Sequence, residues 1–103
     1  MKNINDEWIL LSDIDIKIDS NILENLPKDA NIGCVYFDYI KEDGTIKHYN
    51  HMHLLLSSNI ELNHLFVRTN FINEIKDTPF ETVLNIYNKS IVRHIPIIAF
   101  ELK

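Results

Sequence analysis

The chain has 103 residues, of which 46% are hydrophobic and 24% are charged, and its formal net charge is −5. This length predicts a single compact domain over residues 1–103 that buries its core without disulfides or structural metals. The single cysteine excludes an internal disulfide, and no apolar run is long enough to span a membrane. The N-terminus becomes acidic before any apolar run, unlike a signal peptide, so we expect a cytoplasmic protein.

The acidic residues are concentrated in the first half of the chain. Residues 1–50 carry five lysines and ten aspartates or glutamates, whereas residues 51–103 carry five cationic and five anionic side chains. Nucleic-acid-binding domains have a basic stripe, so this distribution argues against a nucleic acid as the partner. It is typical of a solubilising surface, or of a surface that binds a basic protein.

Residues 7–19 are predicted to form the first strand. Between Asp13 and Asp19 the polar and apolar residues alternate strictly, which is typical of a strand with one buried and one solvent-exposed face. Asp13, Asp15 and Asp19 share the exposed face. The next stretch, residues 20–27, predicts a helix of one or two turns, capped by Ser20 or Asn21 and ended by a proline.

A β-hairpin is predicted from two apolar-rich runs, residues 32–41 and 46–56. Asp43 and Gly44 lie between these runs, and an Asp-Gly pair favours a two-residue type I′ turn in which both residues have positive φ. This turn would pair Ile40 with Lys47.

The predicted register gives the hairpin one apolar face, which we expect to be core, and one face of ionisable and aromatic side chains. Side chains alternate between the two faces with a period of two, and His48 is expected on the apolar side. The polar face would carry Cys34, Tyr36, Asp38, Tyr49, His51 and His53.

Two further strands are predicted. Residues 60–67 alternate as a strand does, although a capping-box pattern at their start also fits a helix; we expect a strand that extends the hairpin into a meander. The last strand is predicted over residues 97–102, with its start as early as Val92. Pro96 cannot donate a hydrogen bond to a sheet, so it indicates an edge strand or the start of a strand.

The main helix is predicted over residues 79–89. Thr78 suits the N-cap, Pro79 suits the first helical position, and Glu81 completes a capping box. The sequence therefore predicts an α+β fold: a single-layer, mostly antiparallel sheet of four to five strands with one main helix packed on one face.

Two functional hypotheses follow from the polar face of the hairpin and from the acidic first strand. The first is a non-enzymatic, inhibitor- or immunity-like protein, as bacteria and phages encode, that binds a basic protein such as a toxin or nuclease and needs no cofactor. Its partner-binding residues would be Asp13, Asp15, Asp19, Tyr36, Asp38 and Tyr49. No nucleic acid and no membrane is expected as a partner.

The alternative is a metal-dependent or thiol enzyme that uses Cys34, His51 and His53. Two histidines at positions i and i+2 of a strand offer two metal ligands, and a cysteine completes a set that zinc accepts. A thiol beside an imidazole can also become a nucleophile. A separate, structural hypothesis is a homodimer formed through the edge strand near Pro96.

Overall fold

The computed structural model describes residues 1–48 and 62–102, and the structural statements below refer to these residues. They form an α+β fold with a six-stranded mixed sheet, which confirms the predicted class, although one pairing is parallel. The strands are β1 (Lys2–Asn3), β2 (Trp8–Ser12), β3 (Ile32–Ile40), β4 (Ile46–Lys47), β5 (His64–Arg68) and β6 (Ile91–Glu101). The helices are α1 (Ser20–Asn25), a 3₁₀ helix (Thr69–Glu74) and α2 (Pro79–Tyr87).

Strand β3 is the centre of the sheet. Strand β6 runs parallel to β3 along its whole length, while β4 and β5 pair antiparallel with its other edge. Strand β2 follows beyond β5, and β1 beyond β2. Pro96 lies in a bulge of β6 that has no register partner on β3, and β6 is an edge strand of the described sheet, as the proline indicated.

The first strand is shorter than predicted, because β2 ends at Ser12. The Ser12 hydroxyl accepts a hydrogen bond from the Ile14 N–H at 3.0 Å and donates one to the Ile14 carbonyl oxygen at 2.7 Å, and this local turn takes the chain out of the sheet. Residues 13–18 are not part of any strand, yet their burial still alternates residue by residue. Helix α1 is capped by the Asp19 carboxylate, which accepts from the Ile22 N–H, and not by Ser20 or Asn21.

The hairpin loop is one residue longer than the predicted two-residue type I′ turn. Only Gly44 has a positive φ (88°), and the hydrogen bonds from Gly44 N to Lys41 O and from Lys41 N to Thr45 O close a three-residue loop. Asp43 avoids the left-handed region and instead accepts hydrogen bonds from the Thr45 N–H and hydroxyl. This is a type I turn followed by a glycine bulge, which is the next most common hairpin connection.

The longer turn displaces the predicted register by one position. Ile40 pairs with Ile46, and Tyr39 rather than Ile40 pairs with Lys47. His48 consequently lies on the same side as Asp38, and their side chains are 3.3 Å apart, whereas the prediction placed His48 on the opposite face. The predicted positions of the other three hairpin residues of the polar face, Tyr49, His51 and His53, lie outside the described residues.

We expect Gly44→Ala to lower the free energy of unfolding by about 1 kcal/mol, because a Cβ atom strains the backbone at positive φ even though open space surrounds it. Urea unfolding measures this change. Glu42→Ala in the same loop, at negative φ, is the matched control and should change stability by less than about 0.5 kcal/mol. Equal stability of the two variants would contradict the glycine-bulge turn.

Both faces of the sheet are covered. Helix α1 and residues 14–18 pack on one face, against a core cluster that includes Val35 and Phe37. Helix α2 packs on the other face, where Val83 and Ile86 contact the cluster that contains Cys34 and Tyr36. The main helix begins at the predicted residue and ends at Tyr87, two residues earlier than predicted. It covers the side of β3 that was expected to be polar.

A buried arginine joins β5 to the segments around the start of β3. The Arg68 guanidinium lies 4.2 Å from the centre of the Trp8 ring and forms an ion pair with Glu7 at 3.1 Å. It also donates hydrogen bonds of 2.8–3.1 Å to the backbone carbonyl oxygens of Pro27, Asp29 and Ile32.

None of the helices in the described part of the chain is both long and apolar enough to cross a membrane.

Candidate partner-binding groove

The polar residues of β3 are inside the protein. Cys34 and Tyr36 are 0% exposed and Asp38 is 5% exposed, because α2 and β6 cover their side of the strand. Tyr36 stacks on the His94 ring at a centroid distance of 5.1 Å. The expectation that Tyr36 and Asp38 contribute to an exposed binding surface therefore disagrees with their burial.

Asp38 is held between two histidines. One carboxylate oxygen is 2.7 Å from His94 Nε2 on β6, and the other is 3.3 Å from Nδ1 of the exposed His48. Hydrogen bonds of this kind compensate the cost of burying a carboxylate. Burial raises the pKa of the Tyr36 phenol above its usual value, and the charges of Cys34 and Asp38 raise it further. We interpret the cluster as a structural connection between β3, β6 and the residue that follows β4.

His64 is a buried neutral histidine that the sequence did not single out. Its Nε2 accepts a hydrogen bond from the Phe37 backbone N–H at 3.0 Å, so Nδ1 carries the proton and donates to the Asn63 side-chain oxygen at 3.1 Å. Burial lowers the pKa of His64 to about 3. The imidazole thus takes the place of a backbone carbonyl as the hydrogen-bond acceptor for β3.

The structure gives no support to a nucleophilic Cys34. Burial raises the pKa of its thiol to about 12, whereas a nucleophilic cysteine has a lowered pKa and an accessible thiolate. Within residues 1–48 and 62–102, no group of three or more His, Cys, Asp or Glu side chains is arranged to hold a metal ion. The other two residues of the predicted alternative site, His51 and His53, lie outside the described part.

An acidic groove of about 910 Å³ runs beside residues 13–18. Four carboxylates and two ammonium groups line it, so its charge is negative; they are those of Asp13, Asp15, Glu42, Glu101, Lys2 and Lys17. The apolar part of its lining comes from Ile14, Ile16, Ile18 and Leu102. A groove that is lined by both apolar side chains and carboxylates can receive an extended chain with cationic side chains.

The groove contains two of the predicted partner-binding residues, Asp13 and Asp15, and both are exposed. Asp19 is exposed but lies outside the groove lining, where it caps α1. Glu101 was not predicted, since the charge of the second half of the chain is balanced. It joins the groove because the parallel pairing of β6 with β3 brings the end of β6 to Ile40, next to the hairpin loop.

Comparison of the chain with protein-family models, with curated proteins and with solved structures finds no significant match.

Proposed function

We propose that this protein is a non-enzymatic, cytoplasmic binding protein that docks its acidic groove onto a basic protein partner, in the manner of an inhibitor or immunity protein. The observation that supports this proposal is the groove itself, which is lined both by exposed carboxylates and by apolar residues. Occlusion is the proposed mechanism: the groove covers a basic segment that the partner needs for its own activity.

The charge of the groove suits a basic partner. Asp13, Asp15, Glu42 and Glu101 are all exposed. A negative field accelerates the association of a positively charged partner and is weakened by salt. The chain as a whole is also negative, with a net charge of −5, so long-range attraction and local contacts favour the same class of partner.

The apolar residues of the groove lining would supply the part of the binding energy that does not depend on charge. Ile16 is buried, while Ile14, Ile18 and Leu102 are half-buried and reach the groove. Contact between these side chains and the methylene stems of lysine or arginine would bury apolar area while the charged heads meet the carboxylates. Tyr36 and Asp38 are left out of the proposed binding surface because they are buried.

Neutralising the groove should weaken binding without unfolding the protein. The wild-type protein is expected to capture a basic partner from a native lysate. The variant Asp13→Asn/Asp15→Asn/Glu42→Gln/Glu101→Gln should capture at least about tenfold less of this partner. Quantitative mass spectrometry of the captured proteins measures this difference, and thermal unfolding shows that the variant is folded.

The matched control is Asp6→Asn/Glu24→Gln/Asp77→Asn/Glu81→Gln, which neutralises the same number of exposed carboxylates outside the groove. This control should capture the partner as the wild-type protein does. Equal capture by the wild-type protein and the groove variant would contradict the proposal, and so would a captured partner with an acidic binding surface.

A further inference from the structure

Residues 13–18 line the groove and belong to none of the strands that the structure describes. Residues 13–18 alternate between exposed and at least half-buried side chains, which is the pattern of an extended chain. The backbone N–H and C=O groups of residues 15–18 make no hydrogen bond to any other part of the chain that the structure describes. An extended backbone with open donors and acceptors is a template on which another chain can pair.

The side chains next to this segment fit one kind of occupant. Asp13 and Asp15 lie on the exposed side of the segment, and Glu42 and Glu101 come from the hairpin loop and the end of β6, so three separate parts of the chain contribute carboxylates to the groove. Ile14 and Ile16 belong to the other parity and contribute apolar lining. An added strand would present its side chains alternately, so that cationic residues meet the carboxylates while intervening apolar residues meet the isoleucines.

We infer that the partner contributes an extended, lysine- or arginine-bearing segment that pairs as an added strand with the backbone of residues 15–18 inside the acidic groove. This inference rests on the proposed function and specifies how the same groove recognises its partner. Main-chain hydrogen bonds supply affinity, and the carboxylates select a cationic sequence. A second copy of this chain is a poor occupant, because both copies carry a net charge of −5.

A peptide that alternates lysine and valine over eight residues is the probe. Its matched control is the depsipeptide in which the four central amides are replaced by esters, so that the charge and the side chains are kept while four backbone donors are lost. We expect the ester peptide to bind at least about tenfold more weakly than the amide peptide, because several main-chain hydrogen bonds cannot form. Titration calorimetry at low salt measures the two affinities.

Amide hydrogen exchange of the protein locates the contact. The amide peptide should slow exchange in residues 15–18, whereas exchange at Glu24, outside the groove, should not change. Equal affinities of the two peptides, or unchanged exchange in residues 15–18, would overturn the added-strand inference. The groove-neutralised variant separates the two proposals. If the added-strand inference fails but this variant binds the peptides more weakly than the wild-type protein does, the proposed function stands. If this variant binds both peptides as the wild-type protein does, the proposed function fails as well.

Discussion

Replacing Arg68 with alanine should lower the free energy of unfolding by about 3–5 kcal/mol, a large fraction of the stability of a domain of this size. The guanidinium donates to three backbone carbonyl oxygens and stacks on Trp8. Its removal leaves these carbonyls without their hydrogen bonds and opens a cavity beside the indole. Urea unfolding followed by tryptophan fluorescence measures the change, since Trp8 is the only tryptophan.

Two variants separate the buried contacts of Arg68 from its charge. Arg68→Lys keeps the charge but cannot form the planar set of hydrogen bonds, so we expect it to recover less than half of the lost stability. Arg93→Ala removes an exposed arginine of β6 and should change stability by less than about 0.5 kcal/mol. If Arg68→Ala were no more destabilising than Arg93→Ala, the role assigned to Arg68 would be wrong.

Lowering the pH should destabilise the protein through His64. Its pKa is about 3 in the folded state and about 6.5 when the chain is unfolded, so the folded state favours the neutral form. The stability that this imidazole contributes is complete above pH 6.5 and is lost as the pH falls towards 3, by roughly 5 kcal/mol over the whole range. Between pH 6.5 and 4.5 we expect a loss of about 2–3 kcal/mol from this residue.

His64→Gln isolates this contribution. The glutamine oxygen can accept the hydrogen bond from the Phe37 N–H but does not titrate. Urea unfolding at several pH values should therefore show a shallower decline below pH 6.5 for the variant than for the wild-type protein. Parallel declines of the two proteins would contradict a buried neutral imidazole at this position.

Local sequence signals identified the elements whose formation depends on nearby residues. The helix start at Thr78 is confirmed, since the Thr78 hydroxyl accepts from the Glu81 N–H at 3.1 Å. The alternation around Ile14 and Ile16 correctly separated exposed from buried side chains, although no strand forms there. The capping and the burial pattern of these stretches are encoded within a few residues, so they could be predicted.

The features that the sequence did not reveal depend on distant contacts. The parallel pairing of β3 with β6 joins residues about 60 positions apart, and the packing of α2 buries the face of β3 that was expected to be open. Burial of Cys34 and Tyr36 could not be inferred from alternation, because a strand with ionisable groups on one face looks the same whether or not a helix covers it. One residue of turn length also sufficed to displace the hairpin register at Ile40.

In the candidate site, too, local sequence signals revealed some residues, whereas others join it only through distant contacts. Asp13 and Asp15 were identified because their carboxylates alternate with isoleucines within one short segment. Glu101 entered the site only through the tertiary structure, as did the apolar contribution of Leu102. A charge pattern can therefore indicate that an acidic surface exists, while the shape of the groove depends on how β6 and the hairpin loop meet that segment.

The decisive measurement is the salt dependence of the affinity for the captured partner, compared between the wild-type protein and the groove-neutralised variant. We expect wild-type binding to weaken by at least about tenfold between roughly 0.05 and 0.5 M NaCl, and the residual binding of the variant to be nearly independent of salt. A wild-type affinity that does not change with ionic strength would contradict a partner attracted by the carboxylates of the groove.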